Sequence, residues 1–206
     1  GEGYWMLTLN EPGESLSLPL EPIDSYSMEL KRGWNLIGSV DKACGLNNLI
    51  EQPPNSLVDG SLYQWKAKGS SYQRTSQIEP GKGYWVLAQQ DCQLTVGGQV
   101  NVPTAPQVLA EPEVLLSLQL SAGDWSQELE VGLDQSSKQG LDPMDHPIPP
   151  SGPIEMEYQV YLVGDSYRLG RDIRPTSQEE ISWQMRVSHE IIYRIQFCLK
   201  HVPRTI

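Results

Sequence analysis

Few residues in this sequence have the types and spacing that chemistry requires. Nucleophilic catalysis needs a Ser or Cys beside a His base and an orienting acid, and its local signature, a Gly-x-Ser-x-Gly elbow, is absent. Ser188-His189-Glu190 supplies suitable types, but neighbours along a strand point to opposite faces and cannot assemble a triad among themselves. The chain is therefore expected not to be an enzyme. Gly81-Lys82-Gly83 lacks the longer glycine pattern of a phosphate loop and leads into a strand-like run rather than a helix N-terminus. It reads as a tight turn whose glycines permit positive φ.

The metal-ligating types are equally sparse. Cys44, Cys92 and Cys198 are too far apart for zinc pairs, and only His146, His189 and His201 are available to join them. Cys44 and Cys92 have two readings: one disulfide inside a module, with Cys198 free or buried, or three small buried thiols in a reducing compartment. Asp134, Asp142 and Asp145 lie in a Gly/Pro-punctuated stretch. Carboxylates there are candidates to gather around Ca²⁺, although the spacing departs from the helix-loop-helix pattern. The competing reading has them forming turns and capping backbone amides. No other cofactor is implied.

Aromatic side chains offer a different chemistry, since the apolar faces of sugars stack on exposed rings. Tyr63, Trp65 and Tyr72 belong to one predicted hairpin and are the candidate glycan platform. Trp34, Tyr84 and Trp85 sit in motifs where a module needs a packed core, so they are expected inside.

The elements that must position these residues are short and strand-like. Ser27–Leu30 and Trp34–Val40 read as two strands around Lys31-Arg32-Gly33. Leu46, Leu49 and Ile50 fall at helical spacing before Pro53-Pro54, which predicts one short helix between residues 41 and 52. Residues 61–65 and 72–74 flank the turn chemistry of Lys68-Gly69-Ser70-Ser71, and 84–88 and 92–96 close the module. After Gly97-Gly98, a Pro-rich stretch reads as a semi-rigid linker. Beyond it, Leu116–Leu120 and Glu128–Val131 alternate around Ala122-Gly123-Asp124 as a hairpin, followed by alternating runs at 157–163 and 182–187 and a final expected strand at 191–197. A repeat overlies this order: Gly1-Glu2-Gly3-Tyr4-Trp5 matches Gly81-Lys82-Gly83-Tyr84-Trp85, which argues for tandem modules.

Composition agrees. With 18 Gly and 16 Pro in 206 residues, and nine Tyr and six Trp against one Phe, the chain suits turns and half-buried strand faces. A formal charge of −11 repels phosphate backbones, so nucleic acid is not an expected partner. No apolar run approaches the length of a membrane span, and residue 1 onward lacks the basic-then-apolar order of a signal peptide, so a secretion signal, if the protein is secreted, is expected upstream.

Leu30 to Gly38 (Leu-Lys-Arg-Gly-Trp-Asn-Leu-Ile-Gly), then Trp65, then Glu79-Pro80-Gly81-Lys82-Gly83-Tyr84-Trp85-Val86 and Asp91-Cys92, resemble a GWNLIG…GKGYW repeat module of large bacterial and archaeal extracellular proteins. The likeness covers roughly residues 26 to 97. It implies an extracellular structural or binding role beside fibronectin-like, immunoglobulin-like and surface-anchoring domains, and it favours the Cys44–Cys92 disulfide. Gly140-Leu141-Asp142-Pro143-Met144-Asp145, with Pro147, Pro149, Pro150 and Pro153, is similar to a segment of β-domains near the C-termini of secreted bacterial proteins.

The expected architecture is all-β with at most one or two short helices, a small β module followed by an immunoglobulin- or fibronectin-like β-sandwich. Its parts are 1–20, the tail of a preceding repeat or a first hairpin; 21–100, the module; 101–113, the linker; and 114–206, the sandwich. The expected role is a structural or adhesive segment of a secreted or cell-surface protein, partnered by other domains of its parent and by glycans or surface proteins. Carbohydrate recognition and self-assembly into a surface layer or filament are the alternatives.

Overall fold

The structure is a computed structural model that describes residues 21–66, 71–98, 111–122, 125–151, 159–177, 180–187 and 191–198. The chain divides into two compact units, one holding the described residues to 98 apart from the start of the 71–74 strand, the other those from 111 onward. The fold is all-β. The first Gly-Glu-Gly-Tyr-Trp copy, the Lys68-Gly69-Ser70 turn tip, Ser188-His189-Glu190 and most of the Pro-rich linker lie outside the described residues.

The described residues of the first unit contain nine strands: β1 (Ser25–Leu30), β2 (Gly33–Ile37), β3 (Cys44–Gly45), β4 (Leu49–Gln52), β5 (Tyr63–Lys66), β6 (Ser71–Arg74), β7 (Gln77–Ile78), β8 (Tyr84–Ala88) and β9 (Cys92–Gly97). They form a sheet ordered β1-β9-β4, a sheet ordered β2-β8-β5-β6 and the short pair β3-β7. Period-two alternation makes β9: Cys92, Leu94 and Val96 are buried while Gln93 is exposed and Thr95 half-exposed. Antiparallel register places Leu30, Met28 and Tyr26 opposite those three. Ile37, Tyr84, Val86 and Ala88 join this cluster from the other sheet, so the core lies between the two.

The motif residues turn out to staple turns. Gly33 holds φ of +109°, a conformation that favours glycine. Asn35 Oδ1 accepts from the Lys31 N–H at 3.0 Å while its Nδ2 donates to the carbonyls of Lys31 and Gly33. Asp91, at the entry to β9, accepts from the Arg32 N–H and from Lys31 Nζ, each at 2.9 Å. In the second motif, the buried Tyr84 hydroxyl accepts from the Glu79 N–H at 2.7 Å, and the Lys82 N–H donates to Ser39 Oγ at 3.2 Å. Only Gly81 of Gly81-Lys82-Gly83 takes a positive φ, +73°. The expectation of positive φ at both glycines is corrected accordingly.

Two further expectations are overturned. The predicted helix shrinks to one 3-10 turn, Leu46–Asn48, and Leu49–Gln52 becomes β4. Leu49 sits opposite Val96, and the backbone bonds offered by β9 outweigh a weak local helical pattern. The expected disulfide is absent, for Cys44 and Cys92 are both free and buried. Cys44 faces Ile78 in the β3–β7 pair, and its sulfur accepts the Gly97 N–H at one end of β9. Cys92 opens that strand opposite Leu30. The five residue steps from Cys92 to Gly97 span about 17 Å of extended strand. A disulfide tolerates Cα separations of only about 7 Å.

The second unit consists of β10 (Val114–Ala122), β11 (Trp125–Leu133), β12 (His146–Pro147), β13 (Val160–Val163), β14 (Arg168–Arg174), β15 (Glu180–Val187) and β16 (Ile191–Cys198). They form one sheet ordered β10-β11-β14-β13-β15-β16, with β12 also on β14. The β10–β11 hairpin pairs from Val114↔Leu133 to Ala122↔Trp125, longer than its alternation predicts. Neighbouring β11 and β14 run parallel, Glu130 to Leu133 against Arg171 to Arg174. Leu129, Val131, Leu133, Val160, Leu162, Leu169, Ile181 and Trp183 form its core. The two cores share no residue.

Candidate functional site

Tyr84 and Trp85 are adjacent on β8, so the pleat sends them to opposite faces. Tyr84 enters the core at 1% exposure, while Trp85 is half-buried on the other side. Register gathers further aromatics on that second face. Trp85 lies opposite Tyr63 of β5 and Leu36 of β2, and Trp34 lies two residues along β2 from Leu36. Trp65 follows two residues after Tyr63, and β6 brings Tyr72 alongside.

The rings form a continuous chain of contacts. Tyr63 meets Trp34 edge-to-face at 5.8 Å between centroids, and Trp34 meets Trp85 likewise at 6.5 Å. Trp85 Nε1 donates to the Tyr72 hydroxyl at 3.1 Å. Tyr72 packs edge-on against Trp65 at 4.9 Å. Such pairs fix ring orientations beyond what area burial alone provides. Trp34, Trp65, Tyr72 and Trp85 all remain half-exposed, giving a ledge of rings on the sheet face opposite the core.

Two sequence expectations change here. Tyr63 is not part of a presented platform: it is 6% exposed and wedged beneath its neighbours, and burial pushes its phenol up to about 12. Conversely, Trp34 and Trp85 belong to the ledge, not the core. The overlooked signal was the alternation Tyr84-Trp85-Val86, in which only every second residue can face inward.

The three candidate calcium ligands are Asp134, Asp142 and Asp145, and all are buried. Their oxygens are occupied by the chain itself. Asp134 accepts from the N–H groups of Ser136 and Glu113, and Asp142 from those of Lys138 and Met144. Asp145 accepts from the N–H groups of Asp142 and, at 2.8 Å, Ile173. Asp142 and Asp145 are brought together, and Asp134 occupies a separate turn. Among the described residues no group of three or more acidic, His or Cys side chains is placed to hold a metal ion. The geometry is that of side chains capping backbone amides. Asp145, almost fully buried beside Asp142 and Asp172, has its carboxyl raised to about 7, chiefly by desolvation.

A cleft of about 310 Å³ in the second unit is lined in part by Leu141, Tyr167, Leu169, Asp172 and Arg174. Two of its charged groups are paired: Arg174 grips the Asp172 carboxylate through Nε and a terminal nitrogen, and its other terminal nitrogen donates to the Ser182 carbonyl at 2.7 Å. Compared with known protein families, curated proteins and solved structures, the chain finds no match.

Proposed function

We propose that this chain is a non-catalytic structural or adhesive segment of a modular extracellular protein, and that the aromatic ledge of its first unit is the contact surface. One observation supports this above others: Trp34, Trp65, Tyr72 and Trp85 are joined by ring and hydrogen-bond contacts and stay half-exposed on the face of β8 opposite Tyr84. Large, rigid, amphipathic rings with an apolar body and a polar tip are what interface centres are built from. Tyr63 and Leu87 are buried on the same face, while the four rings keep part of their own surface exposed.

A second reading, carbohydrate recognition, draws on the same rings, since sugar C–H faces stack on indoles. The two are separated by one pair of experiments. Trp65→Ala is expected to leave the melting temperature within a few degrees of the parent while reducing capture of a partner domain about tenfold or more, as truncated aromatic anchors do. Saturable glycan-array binding that disappears in the same variant would favour the carbohydrate reading. Loss of neither activity would remove the ledge from consideration.

A further inference from the structure

The strand β10 is nine residues long, Val-Leu-Leu-Ser-Leu-Gln-Leu-Ser-Ala, with no charge and no proline. It stands at one end of its sheet. Every residue pairs with β11 on one side, and among the described residues no strand pairs with the other. Natural edge strands are ordinarily short, charged, bulged or covered, because an open row of N–H and C=O groups is a template for another strand. Among the described residues none of those protections is present. Exposed large apolar side chains also concentrate at this strand: Val114 is 48% exposed, and Leu115 and Leu116 are each 37% exposed.

The pattern identifies the occupant. Leu118 and Leu120 pack partly against the core of their own unit, and Leu116 and Val114, two and four residues back from Leu118, lie on the same face of the sheet. Serine and glutamine alternate with them at 117, 119 and 121. An antiparallel copy of the same strand centred on Leu118 places Leu116 opposite Leu120 of the second copy and Ser117 opposite its Gln119. On the face of Leu118 apolar then meets apolar throughout, Val114 opposite Ala122 and Leu116 opposite Leu120, while on the other face Ser117 meets Gln119 and Leu115 meets Ser121. The chain carries −11 overall, which opposes self-association elsewhere, whereas this strand sets no like charges against one another.

We infer that β10 is an isologous dimerisation edge, pairing antiparallel with the β10 of a second copy and joining two sheets into one. A two-fold contact of this kind closes on itself and yields dimers rather than fibres. This inference is independent of the aromatic ledge.

Sedimentation velocity on the full chain, from about 1 µM to about 1 mM, tests it. The expected result is a monomer–dimer equilibrium whose dissociation constant rises at least tenfold in Leu116→Lys, with circular dichroism unchanged. Ile50→Lys, at a comparably exposed apolar side chain on another edge strand (45%), is expected to leave the equilibrium as it was. Amide exchange over residues 114–122 should slow as concentration rises. A monomer throughout the range, a dimer unaffected by Leu116→Lys, or a dimer lost only in Ile50→Lys would overturn the inference. Open-ended polymers would overturn it too, since they require a different edge as partner.

Discussion

A buried carboxylate shows most clearly how individual side chains hold this protein together. Asp145 accepts two backbone N–H groups, yet burial keeps its carboxyl near 7 against an ordinary 3.8. Below about 3.8 the group is protonated folded or unfolded, and well above 7 it is ionised in both. Between those limits the folded protein retains a proton that the unfolded chain has lost, so this group's contribution to stability falls as pH rises. Raising the pH from 5 to 8 is therefore expected to destabilise the second unit by on the order of a few kcal/mol through this residue. Asp145→Asn, which keeps the shape but cannot ionise, should flatten the dependence of melting temperature on pH across that window. The depressed carboxylates Asp91, Asp134 and Glu79 act in the opposite sense and at lower pH.

Strands and turns carry the specificity at the next level up. In the Gly81-Lys82-Gly83 turn, a Cβ would meet nothing within 4 Å at Gly81 and only the Ile37 carbonyl at 3.7 Å at Gly83, so space does not distinguish them. Backbone conformation does. Gly81→Ala is expected to cost about 1 kcal/mol by forcing a side chain into the left-handed region, while Gly83→Ala should be near neutral; thermal or urea unfolding of the pair measures the difference. The strands themselves were legible wherever alternation was strict, as in Cys92–Val96 or the β10–β11 hairpin. The region around Leu46–Ile50 was not, because three apolar residues fit helical spacing and strand pairing equally well until β9 supplies a partner. The ledge was half legible. Trp65 and Tyr72 are legible from their hairpin, whereas Trp34 and Trp85 are not, because each sits in a motif that reads as one packing unit until the pleat divides it.

For the molecule as a whole, two hydrophobic cores without a common member imply two folding units. Fragments covering 21–98 and 111–198 are each expected to show a cooperative thermal transition by circular dichroism. Because Cys44 and Cys92 are unbridged, a reducing agent should leave the transition of the first unchanged. A chelator should leave that of the second unchanged, as its acidic side chains are engaged by backbone amides. A drop of several degrees in either experiment would contradict the bonding described. No helix among the described residues is long and apolar enough to cross a membrane.

The parallel pairing of β11 with β14 also sets a timetable for synthesis. When the β10–β11 hairpin leaves the ribosome, the strand that closes its inner side is still roughly 40 residues from completion, a delay of several seconds at ordinary translation rates. During that interval the nascent hairpin exposes both of its flanks, including the uncharged leucine-rich one. Neighbouring nascent chains on one messenger would then be the first partners it meets, so the yield of correctly folded protein depends on how densely ribosomes are loaded.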